Sequence, residues 1–447
     1  MKIVLISPRT GMYRYKTGAF SLFLRYAPLN LVTLASLVPG ELKGRVEIYD
    51  ESVEHIKRED ISADIIGLTA ITGSSLRAYA YADYFRSKGI TVVMGGPHAT
   101  LMPHEAKEHV DAVVIGHAYQ TWPQLLRDFT HNNLKEFYYP PGCIDFSTIP
   151  HPDRRYLKNK PFISLNSIQA VFGCPNKCEF CVTPVTCRNK YEHRPIKDVC
   201  SEIKLMPGRY MTFVDPSPIE NPRYAVELCQ AMIPLKKRWT GLATTRLVEH
   251  EELMDVMAES GCKGLLIGFE SLSQSSNNKM QKRFNNVDTY YTLVRKLHDR
   301  GIAIMGCFVH GLDEDDKDCF QRTWEFVKKA SIDLPRYTIC TPFPGTPFFK
   351  RLKNEGRILT ENWTLYDAQH VVFRPRKMSV NELEEGHRWI WTASYQYPQI
   401  ARRIFSSRCF LEFVFLANFG YRQYARSHDK FGADYMESDW KLEKSEE

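Results

Sequence analysis

Two series of short apolar runs divide this sequence, five before residue 120 and six after residue 165. KIVLIS opens the first series and is followed by VEIYD, ADIIGLTAI, ITVVMGG and DAVVIG. Each has the length of a strand, and the near-continuous apolar character is that of strands covered on both faces. Helical patterns lie between them, such as SLRAYAYADYFRSKG, which runs out at Gly89 as a helix should. Strands alternating with helices build a parallel sheet of the doubly wound type, whose ligands sit at the carboxyl ends of the strands. Those ends carry Ser7 and Pro8, Asp50, Thr69 to Thr72, Gly95 to His98, and Gly116 with His117. Small polar and glycine residues there let a ligand approach the backbone closely.

Residues 131–165 are proline-rich and aperiodic, which reads as a connector. The second series contains SIQAVFG, YMTFVD, WTGLATT, GLLIGFE, IAIMGCFVHG and RYTICTPF, separated by helical stretches such as HEELMDVMAESG. Six strand–helix units predict an open, partial version of the eight-stranded α/β barrel. Beyond residue 350 the strand pattern fades. SVNELEEGHRWIWTASYQYPQIARRIF is helical, CFLEFVFLANFGY reads as a last helix packed on the core, and the tail is charged.

A chain of 447 residues with 43% hydrophobic and 25% charged residues is globular and too long for one core. The first apolar run is too short for a signal peptide, and no window has the roughly 18 apolar residues of a membrane span. The expected location is therefore cytoplasmic, with no transmembrane segment. The net charge of +7 is spread along the chain, so no nucleic-acid partner is expected. Of the 12 cysteines, most are scattered and read as small apolar core residues. The stretch AVFGCPNKCEFCVTP is different.

It places Cys174, Cys178 and Cys181 in a C-x3-C-x2-C spacing. Thiolates select zinc, copper(I) or iron–sulfur clusters. A structural zinc ion needs four protein ligands, and Cys187 or His193 is the nearby fourth candidate. A four-iron cluster held by three thiolates leaves one iron open to a substrate or cofactor. With Phe180 before the last cysteine, the motif resembles the signature of radical S-adenosylmethionine (SAM) enzymes. That resemblance implies a [4Fe-4S] cluster on the three cysteines, SAM chelated at the open iron, and reductive release of a 5'-deoxyadenosyl radical.

Further stretches carry the resemblance through residues 165 to 350. FVDPSPIENP puts Asp215 near the SAM end of the barrel, LATTRLV offers Arg246 to the methionine carboxylate, and LLIGFESL turns Glu270 and Ser271 toward the cofactor. TPFPGTPFF (341–349) resembles a late-barrel loop of the branch with an N-terminal cobalamin-binding domain. The first domain itself resembles that cobalamin domain through GLTAITGSS, VVMGGPHATLMPHEA and DAVVIGHAYQTWPQLLRDF. Its candidate cobalamin contacts are Thr69, Ile71, Gly95, Gly96, His98, Gly116 and His117. The D-x-H-x-x-G loop that supplies cobalt with a histidine in other cobalamin proteins is absent. His117 and Tyr119 stand where the family usually has acidic residues.

The resemblance divides the chain into a cobalamin-binding-like domain (1–135), a linker (136–164), a partial radical SAM barrel (165–350) and a helical extension (351–447). It implies a cobalamin-dependent methyltransferase acting on an unactivated carbon of a small-molecule or lipid-like substrate. An electron donor such as flavodoxin or ferredoxin is implied as well. The alternatives are a radical rearrangement, cyclisation or dehydration with a degenerate cobalamin domain, and a corrinoid-binding sensor or electron-transfer module.

Overall fold

The computed structural model describes residues 1–10, 27–158, 160, 162, 166–406, 409 and 411–427; the charged tail lies outside them. The first sheet contains β1 (Lys2–Ser7), β2 (Arg45–Asp50), β3 (Ile65–Thr69), β4 (Thr91–Gly95), β5 (Ala112–Val114) and β6 (Phe137–Tyr138). All pairings are parallel, in the order β2-β1-β3-β4-β5-β6. The strand order reverses at β1 and β3, and such a switch point opens a crevice at the carboxyl edge. β1 is buried on both sides for the reason its composition predicts. Ile3 and Leu5 join one apolar layer with Leu31 and Trp122, while Val4 and Ile6 join the other with Ala78 and Phe85. The sheet exceeds the expected five strands by one. Phe137–Tyr138 of the connector pairs with β5, too short a stretch to betray a strand by periodicity.

The second sheet orders its strands β14-β13-β12-β11-β10-β7, again all parallel. They are β7 (Ser167–Ile168), β10 (Tyr210–Phe213), β11 (Arg238–Ala243), β12 (Cys262–Glu270), β13 (Ala303–His310) and β14 (Leu334–Ile339). This is the expected six-stranded partial barrel, with one correction. SIQAVFG splits into β7 and a separate strand β8 (Val171–Gly173), which pairs antiparallel with β9 (Tyr191–His193). The cause is Asp215, whose Oδ1 accepts the N–H groups of Ala170 (2.8 Å) and Val171 and so removes both from the barrel ladder.

The extension is helical, but its first predicted stretch is two helices. Val380–Ser394 starts with a capping box between Ser379 and Glu382, and Tyr397–Ser406 follows. Pro398 has no N–H and its ring would clash with the carbonyl of residue 394, so one continuous helix cannot form. The last helix, Leu411–Arg426, buries Val414, Ala417, Asn418, Tyr421 and Ala425, a face of helical spacing. Asn418 caps this packing by donating to the Asp333 carbonyl (3.1 Å) and accepting from Arg403 (3.0 Å). The extension also grips the first domain. Trp363 Nε1 donates to both oxygens of Glu105 (3.0 and 3.1 Å), which also meets His98 and Tyr79.

Candidate active site

The three cysteines occupy the loop between β8 and β9. Gly173, just before it, has φ +80°, and a Cβ there would fall on the Lys190 carbonyl, so the hairpin needs glycine at this point. The Cys181 N–H donates to the Cys178 carbonyl (3.1 Å), folding the motif into a turn. Cys178 is buried and Cys174 and Cys181 are half-buried. Burial pushes the Cys178 thiol up to about 12 and raises Cys181; Cys178 also feels the charges of Cys181 and Cys174, and Cys181 that of Cys174. Burial thus disfavours the thiolates of Cys178 and Cys181, and a bound metal's charge would favour them. Among the described residues, no three His, Cys, Asp or Glu side chains are grouped as ligands of a single metal ion. Three thiols on one short loop are the soft donor set that an iron–sulfur cluster takes.

The loop is fixed by a residue that carries no metal. Glu179 donates its N–H to the Met280 carbonyl (3.1 Å) and accepts the N–H of Phe348 on its own carbonyl (3.1 Å). Its carboxylate takes two hydrogen bonds from Arg351 (2.7 and 3.2 Å). The 341–349 loop and the helix Pro347–Asn354 therefore clamp the middle of the cysteine motif. Arg351→Met should leave the fold intact while weakening this clamp by about 1–2 kcal/mol, because the pair is partly solvated. Iron release to a chelator should then accelerate by about 5- to 30-fold; an unchanged rate would remove Glu179 and Arg351 from cluster retention.

At the carboxyl ends of the barrel strands, Glu270 ends β12 in a left-handed conformation (φ +59°) and pairs with the Lys282 ammonium. Lys282 also donates to the Gly268 carbonyl (3.2 Å). Burial opposes its charge, but Glu270 and Cys178 raise its pKa, so it stays protonated beside the cysteines. Ser271 holds the turn after β12 through its Oγ, which accepts from Ser273 N (3.0 Å). Arg246 stands elsewhere on the rim. It pairs with Glu220 (2.7 Å) and lies over the Phe284 ring, with its side chain 41% exposed. The side chain of Glu220 is fully buried and also accepts from Thr244 (2.8 Å) and Ser217 (3.2 Å). Asp215 is buried against the β7–β8 backbone, and Phe180 packs on the barrel core. Lys282, Glu220 and Glu179 escaped the sequence reading. Glu220 lay within the quoted PSPIE and Glu179 within the cysteine motif itself, whereas nothing in QKRFNN singles out Lys282.

Between the two sheets lies a cavity of about 440 Å³. Thr69, Gly95, Gly96, Gly116 and His117 line it from the first domain, and Gln169, Phe172 and Arg194 from the barrel. It reaches inward to Leu5, Gly67 and Trp122. Gly96 has φ +94°, and a Cβ there would meet Thr69 Oγ1 at 2.7 Å, so the bare backbone is structurally required. Both ring nitrogens of His117 are buried without a hydrogen-bond partner among the described residues. Burial, reinforced by the charges of Lys190 and Arg188, lowers its pKa to about 4, so it presents neutral imidazole at pH 7. An apolar, glycine-walled cavity with unsatisfied imidazole nitrogens fits a corrinoid with amide side chains. The other two candidates stand outside it. Ile71 is 51% exposed, and His98 is fully buried, its Nε2 at 3.0 Å from Tyr79 Oη.

A flavodoxin-like sheet facing a partial barrel with a three-cysteine loop defines a two-cofactor architecture, and the chain belongs to the cobalamin-dependent radical SAM enzymes. The B12 binding domain family matches residues 24–126 and the Radical SAM superfamily matches residues 168–327. The chain is similar to bacteriochlorophyllide d C-12(1)-methyltransferase of Chlorobaculum tepidum, with 30% identity over 438 residues, 95% of this chain and 93% of that one. It is 29% identical to the C-8(2)-methyltransferase of the same organism, over 77% of this chain and 80% of that one. The fold matches that of OxsB, a cobalamin-dependent S-adenosylmethionine radical enzyme solved with aqua-cobalamin and SAM, with a TM-score of 0.68 at 13% identity. That match covers 96% of this chain and 72% of the other. The protein is thus an enzyme whose cofactors are a [4Fe-4S] cluster, SAM and cobalamin. Among the described residues, no helix is long and apolar enough to cross a membrane.

Proposed function

We propose that this enzyme transfers a methyl group to an unactivated carbon of a tetrapyrrole, a large and mainly apolar substrate. One observation carries the reading. Val214, just past β10, lines both the interdomain cavity and a second cavity of about 200 Å³ inside the barrel. In this reading the methyl carrier occupies the first cavity and the acceptor the second, with Val214 on the wall of both. The tetrapyrrole class is supported by the named substrates of the two bacteriochlorophyllide methyltransferases.

When bound, the cluster supplies the electron that splits the SAM sulfonium, and cobalamin supplies the methyl group. In this reading Cys174, Cys178 and Cys181 hold three irons and leave the fourth for SAM. Glu270 and Ser271 orient SAM, with Lys282 paired to Glu270, while Arg246 takes a carboxylate and Phe180 packs beside the site. Asp215 acts on the cysteine loop through its backbone hydrogen bonds. Thr69, Gly95, Gly96, Gly116 and His117 hold the corrinoid, with Ile71 at the rim and His98 bracing the wall behind. Leu242, Leu266 and Met305 exclude water from the barrel cavity, and Phe413 closes it. An external carrier such as flavodoxin or ferredoxin delivers the electrons.

The test is anaerobic incubation of cluster- and cobalamin-loaded protein with bacteriochlorophyllide d and methyl-labelled SAM. The expected result is 5'-deoxyadenosine together with labelled, methylated pigment. Deoxyadenosine formed with pigment changed but unlabelled would instead favour a rearrangement or cyclisation.

A further inference from the structure

We infer that Phe413, on the last helix, is the floor of the barrel cavity and limits the part of the acceptor that enters it to a short, uncharged alkyl arm. The inference rests on the proposed substrate class and deepens it. Strand register stacks the cavity wall in two layers. Leu242, Leu266, Met305 and Leu334 stand level with one another across β11 to β14. Nearer the amino ends by two residues, roughly 6–7 Å, the next level is Thr212, Thr240, Gly264 and Ala303. The inside of an α/β barrel is normally filled by layers of bulky branched side chains. Here the upper layer is bulky and the lower one small, which leaves space inside the barrel.

Packing does not demand the smallest of these residues. A Cβ on Gly264 would make ordinary contacts, at 3.6 Å to Thr240 Cγ2 and to the Ala303 carbonyl oxygen. The space is closed instead by the last helix. Val414 packs with Ala303 at the start of β13 and with Cys409, and Asn418 donates to the Asp333 carbonyl just before β14 (3.1 Å). Both contacts lie at the amino end of the barrel, so Phe413 meets the cavity beside the small layer, while Val214 and the interdomain cavity lie toward the carboxyl end. Among the described residues no charged side chain lines the cavity, and its two hydroxyls, on Thr212 and Thr240, bond each other at 3.1 Å. A charged arm would find no counter-ion there. At about 200 Å³ the cavity is smaller than the roughly 300 Å³ that a whole drug-sized ligand fills, so a tetrapyrrole ring stays outside and one alkyl substituent goes in. The depth left above Phe413 decides how long that substituent can be.

The probes are bacteriochlorophyllide d and a homologue whose label-receiving substituent is two carbons longer. Binding to the loaded enzyme is read by quenching of pigment fluorescence, and KM is read for both pigments and for SAM. Wild type should prefer the shorter pigment by about 10- to 100-fold, the effect of forcing extra methylenes into a fitted apolar pocket. Phe413→Ala should bring the longer pigment level or ahead, Phe413→Leu should fall between, and the KM for SAM should not move. Gly264→Val fills the cavity from the strand side without touching the helix. It should weaken both pigments, the longer one more, and it decides the matter if Phe413→Ala does not fold. Equal binding of the two pigments by wild type overturns the inference without touching the methyltransferase reading. A pigment ratio unchanged in Phe413→Ala and in Gly264→Val also overturns it, because Phe413 then serves packing alone. If neither pigment binds while SAM is still cleaved, the tetrapyrrole reading fails and the inference falls with it.

Discussion

Cys178→Ala should leave a folded chain that retains no complete cluster and cleaves no SAM. Of the three motif thiols it is the buried one, set in the turn between Cys174 and Cys181 and beside Lys282. Loss of one thiolate of three leaves a second iron without a protein ligand and open to solvent exchange. The rate of 5'-deoxyadenosine formation should fall by at least about 10³-fold, a barrier change of about 4 kcal/mol. Removing the small buried sulfur itself costs about 1 kcal/mol of stability, so the loss is chemical rather than structural. Iron and sulfide analysis, read beside far-ultraviolet circular dichroism, checks both halves of the expectation. A variant that keeps four irons and cleaves SAM would place the cluster on other ligands.

Asp215→Ala should give the largest structural effect of any single substitution near the site. Its Oδ1 accepts the buried N–H groups of Ala170 and Val171, and alanine offers neither an acceptor in its place. Two orphaned N–H groups cost about 2–5 kcal/mol together, and the strain falls on the segment that leads into Cys174. The denaturation midpoint should drop accordingly, with iron retention falling in parallel.

Asp215 also gives the protein a pH dependence with a defined sign. Burial raises its carboxyl from the ordinary 3.8 to about 7 against the opposing backbone hydrogen bonds. The native state therefore binds this proton more tightly than the unfolded chain does. Its contribution is greatest below about pH 4 and declines as the pH rises toward 7, then levels off. Asp215→Asn keeps an oxygen for both N–H groups and cannot ionise. Its stability profile should be flatter between those limits, and at pH 8 it should equal or exceed wild type. A parallel pair of pH–stability curves would remove Asp215 as the source of the slope.

The legible part of the fold was the part written in local pattern. Apolar runs such as KIVLIS and IAIMGCFVHG became central strands because a strand covered on both faces must be apolar along its length. The splitting of SIQAVFG into β7 and β8 was not legible, because its cause is a carboxylate 44 residues from Val171. The helix break before Pro398 was visible in principle, since proline forbids continuation whatever the surroundings. β6 was invisible, because two residues carry no period.

The site divides in the same way. C-x3-C-x2-C announced its metal because three thiols within eight positions have a chemistry that spacing alone suggests. Most of what supports that motif comes from far along the chain. Arg351 reaches Glu179 across 172 positions, and Lys282 is brought to Glu270 by a turn without a motif. By itself, then, the sequence determined the two parallel sheets and the three-cysteine motif, because both follow from which residues stand next to one another along the chain. The tertiary structure decided which charges meet, which strand ends share a cavity, and that Val214 lines two cavities. Those relations depend on strand order, register and loop path, and no periodicity of side chains encodes them.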